Sequence, residues 1–175
     1  MLLALALGWW LEVTPFERLA LSWRGLAYGI VATAPLVLAL AWCLRTTLPP
    51  VVRLVRIVEQ RIAPLFAGSG PAAIGLLGLL AGVGEETLFR GVIQATLATH
   101  LVPWAAVALT AVLFGVAHWV TPTYALLATL VGAYLGALLV VSGNLLVPIV
   151  AHALYDVVAL ALLVRVKPAL PSSVL

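Results

Sequence analysis

Residues 71–90, PAAIGLLGLLAGVGEETLFR, combine an uncharged apolar run with a sudden group of charges. The first fourteen residues carry no charge, as in a helix that faces lipid. Glu85, Glu86 and Arg90 then follow close together. An ionised side chain at the centre of a bilayer costs about 2.5–3.5 kcal/mol even on a lenient insertion scale. Other groups in the protein must offset that cost, so this stretch bears on both fold and function.

The composition is that of an integral membrane protein. Of 175 residues, 65% are hydrophobic and 9% are charged, and the mean hydropathy is +1.22. Soluble domains carry about 25% charged residues. The length predicts a single integral-membrane domain over residues 1–175. No basic stripe with interleaved aromatic residues accompanies the net charge of +3, so we do not expect nucleic-acid binding. A single cysteine, Cys43, allows no internal disulfide.

Apolar segments of spanning length recur along the chain. A membrane-spanning helix needs about 20 apolar residues. Five segments approach or exceed that length: 25–44, 71–100, 103–119, 121–143 and 144–164. Residues 1–11 are a sixth apolar piece that is too short to cross alone, and whether they enter the membrane stays open. The sequence predicts an all-α polytopic bundle of five to six transmembrane helices.

The connection over residues 45–70 predicts an amphipathic helix at the membrane surface. Arg53, Arg56 and Glu59 recur at three-residue steps beside a valine and isoleucine face. The alternative is a solvated connecting loop. With five spans, this connection and the C-terminal tail lie on the same side, which the positive-inside rule makes cytoplasmic. That side holds Arg45, Arg53, Arg56, Arg61, Arg165 and Lys167.

The charges of the opening stretch divide into a pair and a single residue. Glu86 and Arg90 are four positions apart, share a helix face and can form an ion pair. Glu85 is rotated about 100° from Glu86 and has no partner on its own helix. Its partner must therefore come from another helix.

Two further apolar segments each carry a polar group. Phe114 and His118 are four positions apart, which places an aromatic ring beneath an imidazole. His152 and Asp156 have the same spacing, so the carboxylate can orient one imidazole nitrogen. The other nitrogen is then available to a metal, a water or a substrate.

Convergence of these groups into one buried site would suit either of two hydrolytic chemistries. Glu85 could take a proton from water while a histidine orients the water and serves as acid. Alternatively, His118, His152 and Glu85 could bind a divalent metal such as zinc, which would activate its own bound water.

The three groups also resemble a known family. EETLFR fits the motif EExxxR, FGVAH fits FxxxH and HALYD fits HxxxN/D, in that order along the chain. The chain resembles the CAAX protease and bacteriocin-processing (CPBP, or Abi) intramembrane proteases over about residues 70–165. The resemblance implies that Glu85 is the base that activates water, with help from His118. It makes Glu86, Arg90 and Phe114 supporting residues.

The same resemblance implies that His152 and the residue at 156 stabilise the oxyanion of the tetrahedral intermediate. Many members have asparagine where this chain has Asp156. An amide can donate a hydrogen bond, whereas an ionised carboxylate only accepts one. Asp156 would therefore act in a protonated form, orient His152, or support a metal ligand. The resemblance leaves a glutamic-type and a zinc-dependent mechanism open.

The sequence thus predicts an intramembrane endopeptidase that cuts a peptide or protein substrate near the surface of the lipid bilayer. The substrate would be a lipid-modified CAAX-type tail, a bacteriocin leader or a C-terminal sorting tail. The alanine- and leucine-rich composition suggests a bacterial inner membrane. Two alternatives remain: a proton-coupled transporter, which would string polar residues along a path, and a catalytically silent immunity or binding protein.

Overall fold

The computed structural model describes residues 1–165 and is helical throughout, with no strand in that range. The predicted all-α membrane bundle is confirmed. The helices are α1 (Leu2–Trp10), α2 (Trp23–Arg45), α3 (Pro49–Ile57), α4 (Pro71–Ala98), α5 (Pro103–Ala117), α6 (Pro122–Ser142) and α7 (Leu146–Arg165). The predicted cytoplasmic C-terminal tail, with Lys167, lies outside the described residues.

Four of these helices are long and apolar enough to cross a membrane. They are α2, α4, α6 and α7; in α7 the apolar stretch of spanning length is Leu146–Leu163, 18 residues. The predicted span that begins at Pro103 is also an apolar helix, but α5 has only 15 residues. Residues 1–11 give the nine-residue α1, which is too short to cross.

The outer surface of the bundle is strongly apolar. All six tryptophans are more than half exposed: Trp9, Trp10, Trp23, Trp42, Trp104 and Trp119. Leucines and valines are exposed along the four long helices as well. Apolar surface on this scale needs a cover other than water. The lipid bilayer supplies that cover for an integral membrane protein.

Residues between the first two long helices form the predicted amphipathic element. Val51 and Leu54 of α3 are buried against the bundle, while Arg53 and Arg56 are exposed. A π-helical turn and a short 3₁₀ turn continue α3 as far as Phe66. The solvated-loop alternative does not apply to these helical residues.

The helix boundaries follow the chemistry of the residues at them. Proline occupies the first turn of α3, α4, α5 and α6, where its missing N–H and fixed φ cost nothing. Helix α6 ends at Ser142 and is capped by Gly143, whose φ of +65° is left-handed and favours glycine. The Asn144 side chain then binds both backbone polar groups of Ala20, which ties the N-terminal segment to the α6–α7 turn.

Helix α7 lies between α2 and α4, and glycines allow the close approach. A Cβ added at Gly82 would lie 2.8 Å from the backbone nitrogen of Ala153, and one at Gly78 would lie 2.9 Å from the carbonyl oxygen of Ala153. Gly29 of α2 meets Val150 on another side of α7 in the same way. Van der Waals packing of small residues drives such association in lipid. These contacts fix the depth of α7 against α4.

A π-helical segment over Thr87–Gln94 interrupts α4 immediately after the two glutamates. The hydroxyl of Thr87, the first residue of this segment, donates to the carbonyl of Val83 in the preceding α-helical turn at 2.6 Å. Helix α1 packs on this segment, and Gly91 lies against the carbonyl of Pro15 so closely that no side chain would fit. Single π turns inside α-helices are frequent at functional sites.

Candidate active site

The predicted ion pair of α4 lies in the centre of the bundle. Arg90 Nη1 donates to Glu86 Oε1 at 2.8 Å, and both side chains are fully buried. Arg90 Nη2 donates to the carbonyl of Gly132 in α6 at 2.7 Å. The guanidinium also lies 4.8 Å from the ring centroid of Phe114, a cation–π distance. Arg90 therefore joins α4, α5 and α6, and its charge is compensated.

Glu86 has a second partner that the sequence did not indicate. His152 Nδ1 lies 2.8 Å from Glu86 Oε1, and the histidine side chain is 6% exposed. An ionised carboxylate accepts only, so Nδ1 carries the proton in this contact. One carboxylate oxygen thus binds Arg90 in its own helix and His152 in α7. Glu86 positions both groups.

Asp156 stands on the open side of His152. Its Oδ2 lies 3.6 Å from His152 Nε2, which is beyond hydrogen-bond distance. The Asp156 side chain is 25% exposed, in contrast with the buried Glu86. The sequence predicts that Asp156 orients one nitrogen of His152. In the structure Nε2 is close to Asp156 without a hydrogen bond, and Nδ1 is bound to Glu86 instead.

Glu85 finds its partner across the bundle, at the end of α5. Glu85 Oε2 lies 3.4 Å from His118 Nε2. His118 caps the C-terminus of α5, and its Nδ1 lies 2.8 Å from the carbonyl of Phe114. Since a carbonyl only accepts, Nδ1 carries a proton and Nε2 is the atom directed at Glu85. The Glu85 side chain is 34% exposed and that of His118 26%, while Glu85 Oε2 itself is buried, so solvent reaches the edge of the pair.

Phe114 is the hydrophobic centre of the group. Its ring stacks on His118 with centroids 4.3 Å apart and meets His152 edge-on at 6.0 Å. Phe89 packs edge-on against it at 4.9 Å. The ring thus lies between the partly exposed Glu85–His118 pair and the buried ion pair, and it contacts both imidazoles. Glu85, Glu86, Arg90, Phe114, His118, His152 and Asp156 accordingly form one compact cluster.

The predicted metal ligands do not surround a single position in this structure. Among the described residues, no three His, Cys, Asp or Glu side chains are arranged to hold one ion. His152 Nδ1 is bound to Glu86, and His118 Nδ1 to a backbone carbonyl. Such contacts leave Nε2 of each imidazole and the Glu85 carboxylate as the atoms that would hold a metal, and a metal site formed by His118, His152 and Glu85 stays a prediction.

One residue beside the site carries no signal in the sequence. Tyr124, in the first turn of α6, lies edge-on to His118 with ring centroids 6.4 Å apart. Tyr124 is not part of any of the pairs of polar or aromatic residues spaced four positions apart. The turn between α5 and α6 brings it next to His118. Gly132 of α6 likewise has no local signal for a role in the site, although its carbonyl binds Arg90.

The fold and the site together define a polytopic membrane protein with a compact, partly open group of carboxylates and histidines. A protein-family model described as type II CAAX prenyl endopeptidase Rce1-like matches residues 67–158, more than half of the chain. The match includes all seven residues of the cluster. No curated protein matches, and no solved structure does.

The chain belongs to the Rce1-like family of type II CAAX prenyl endopeptidases. The predicted relationship to the CAAX protease group is confirmed. The protein is thus an intramembrane protease of the CAAX type in general, and it acts on a protein or peptide substrate within the membrane.

Proposed function

We propose that Glu85 and His118 activate the water that hydrolyses the peptide bond. The observation that carries this proposal is the 3.4 Å separation of Glu85 Oε2 and His118 Nε2 in a partly exposed position. The adjacent glutamate cannot serve, because Glu86 is fully buried: Oε1 binds Arg90 and His152, and Oε2 is closed to solvent. A water between the Glu85–His118 pair and a substrate carbonyl can give its proton to either group.

The reaction then follows with a balance of atoms and protons. The water oxygen attacks the carbonyl carbon, the carbonyl electron pair moves to oxygen, and the Glu85–His118 pair takes the proton of the water. When the carbon–nitrogen bond breaks, the pair returns that proton to the leaving amine. The products are one peptide with a new carboxyl terminus and another with a new amino terminus, and the proton of the new carboxyl group passes to solvent.

His152 and Asp156 lie on the side where the oxyanion would form. With Nδ1 donating to Glu86, His152 can donate from Nε2 only as an imidazolium. In that form Nε2 stabilises the oxyanion. The Asp156 carboxylate, 3.6 Å from the same nitrogen, favours the positive charge of the imidazolium. We assign Glu86 and Arg90 to positioning His152 rather than to the reaction. A glutamic-type mechanism accounts for these roles without a metal.

The partial exposure of Glu85, His118 and Asp156 favours a substrate that enters from the membrane surface. The family description favours a C-terminal tail of the CAAX type; a bacteriocin leader or a C-terminal sorting tail has the same requirements. We further propose a bacterial inner membrane, with the connection over residues 45–70 in the cytoplasm. The exposed arginines of that connection support this orientation.

The compact cluster weighs against a proton-coupled transporter, which would need polar residues along a path through the bilayer. A catalytically silent binding protein would not need a solvent-accessible glutamate paired with a histidine. It would retain its biological effect after Glu85→Gln. Hydrolysis is therefore the function that the geometry supports best.

Cleavage of peptides by the purified full-length protein in nanodiscs tests the proposal. The substrates are fluorogenic peptides of three kinds: prenylated CAAX tails, unmodified tails and leader peptides. We expect Glu85→Gln to lower kcat by about 10²–10⁴-fold, the usual contribution of general acid–base catalysis. The control is Glu59→Gln, outside the cluster. Wild-type cleavage by Glu85→Gln would refute the assignment of the base.

A further inference from the structure

Tyr124 is fixed beside the imidazole of His118. The side-chain hydroxyl of Thr121, which precedes α6, accepts a hydrogen bond from the Tyr124 backbone N–H at 3.1 Å. This cap fixes the first turn of the helix. The phenol ring then meets the imidazole edge-on, with centroids 6.4 Å apart and planes at 65°. Phe114 stacks on the same imidazole at 4.3 Å, so two aromatic rings contact His118.

The hydroxyl of Tyr124 is a free donor within the part of the chain that the structure describes. A buried tyrosine hydroxyl ordinarily finds a partner, and Tyr134 does so by donating to the carbonyl of Ala32 at 2.9 Å. Tyr124 is only half-buried, and its hydroxyl makes no hydrogen bond to any described residue. It therefore lies at the cluster without a structural bond to keep it there.

The oxyanion needs a donor that the carboxylate at position 156 does not supply. An ionised Asp156 only accepts hydrogen bonds. His152 has one nitrogen held by Glu86, which leaves Nε2 as its single free donor. Stabilisation of an oxyanion commonly uses two or more preorganised donors. A neutral phenol beside the imidazole of His118 meets this requirement without adding charge to the cluster.

We propose that the Tyr124 hydroxyl donates a hydrogen bond to the oxyanion of the tetrahedral intermediate, together with His152 Nε2. The inference rests on the proposed function. As water adds to the carbonyl carbon, the carbonyl electron pair moves to oxygen, and the O–H of Tyr124 binds that oxygen while keeping its proton. When the carbon–nitrogen bond breaks, the carbonyl re-forms and the hydrogen bond weakens. Tyr124 is thus a catalytic residue for the transition state rather than for binding of the ground state.

Tyr124→Phe tests the inference, because it removes one oxygen and keeps the ring beside His118. The substrate is the best-cleaved fluorogenic peptide, and the second probe is the same peptide with a phosphinate in place of the scissile amide. We expect kcat to fall by about 10²-fold, as for loss of one oxyanion donor, with KM unchanged. The phosphinate should bind more weakly by the same factor, since it carries the tetrahedral anion.

Tyr134→Phe is the matched control, since it removes a hydroxyl that is bonded to Ala32 away from the cluster. Its kcat and phosphinate affinity should equal those of the wild type. Equal unfolding midpoints for Tyr124→Phe and wild type confirm that the loss is not one of folding. If Tyr124→Phe does not fold, Tyr124→His, which retains a ring donor, should fold and keep more activity than Tyr124→Leu. Equal activities would overturn the inference.

Glu85→Gln, assayed in parallel, separates the two levels of the proposal. If Glu85→Gln is inactive but the kcat of Tyr124→Phe lies within about twofold of wild type, the role of Tyr124 is overturned and the proposed function stands. A loss confined to KM, or an unchanged phosphinate affinity, would also overturn the role of Tyr124. Wild-type cleavage by Glu85→Gln would instead refute the proposed function, and the role of Tyr124 would fall with it.

Discussion

Glu85 Oε2 lies 3.4 Å from His118 Nε2, across the interface between α4 and the end of α5. The next residue of α4, Glu86, is fully buried and holds Arg90 and His152 on one oxygen. Two adjacent glutamates thus have opposite surroundings, one accessible to solvent and the other sealed in the bundle. This division separates the group that we assign to the reaction from the group that supports the site.

Arg90→Met should destabilise the protein strongly. Methionine has a side chain of similar length without the guanidinium. The substitution therefore removes the partner of the buried Glu86 carboxylate and the bond to the Gly132 carbonyl. Breaking a buried ion pair from one side typically costs about 3–5 kcal/mol. Chemical unfolding in detergent micelles measures the loss, with the exposed Arg56→Gln as the control. A free energy of unfolding within about 0.5 kcal/mol of wild type would show that Arg90 is not needed for stability.

Glycine packing between α4 and α7 makes a matched pair of predictions. A Cβ at Gly82 would lie within 3.0 Å of three atoms of Ala153, whereas one at Gly75 would meet nothing within 4 Å. Gly82→Ala should therefore destabilise by about 1–3 kcal/mol through overpacking. Gly75→Ala should be neutral or stabilise by up to about 1 kcal/mol, since alanine favours helix. Equal unfolding free energies for the two variants would argue against the close approach of α4 and α7.

Much of the fold follows from the sequence because lipid imposes simple rules. Uncharged runs of spanning length predict helices, and the prolines at positions 49, 71, 103 and 122 mark where four of them begin. The pairing of Glu86 with Arg90 also follows, because spacing of four places both on one face. Local chemistry determines these features, so a single sequence contains them.

Other features of the site depend on which helices meet. Neither the contact of Glu86 with His152 nor the position of Tyr124 beside His118 has a local signal, because each joins residues far apart in the chain. The pattern of residues does not predict the π-helical segment after Glu86 either, and α1 packs against that segment. The motifs predicted that three polar groups would converge, but the tertiary structure alone gives the partner of each atom.

Chelators should leave hydrolysis unchanged. The described residues provide no group of three side chains arranged to hold a metal ion, and a glutamate–histidine pair can activate water without one. Cleavage is measured after dialysis against EDTA and 1,10-phenanthroline, with metal analysis of the same sample. Loss of activity that added zinc restores would favour the metal-dependent mechanism and make His118 and His152 candidate ligands.

The arginines of the α3 connection should be accessible from the cytoplasm. Cys43 is the only cysteine, so a Cys43→Ala background allows single probes. Arg56→Cys should react with a membrane-impermeant maleimide only in inside-out vesicles, because the positive-inside rule places basic connections in the cytoplasm. Arg18→Cys, which precedes the first long helix, should react only in right-side-out vesicles or whole cells. The reverse pattern would invert the proposed orientation.

A double-mutant cycle on Glu85 and His118 tests the central claim most directly. The kcat of wild type, Glu85→Gln, His118→Ala and the double variant is measured on one fluorogenic peptide in nanodiscs. If both residues act on a single water, the double variant should be no slower than the slower single variant, because residues that act as a unit are strongly non-additive. Losses that multiply would contradict the account, since they would show that Glu85 and His118 act in separate steps.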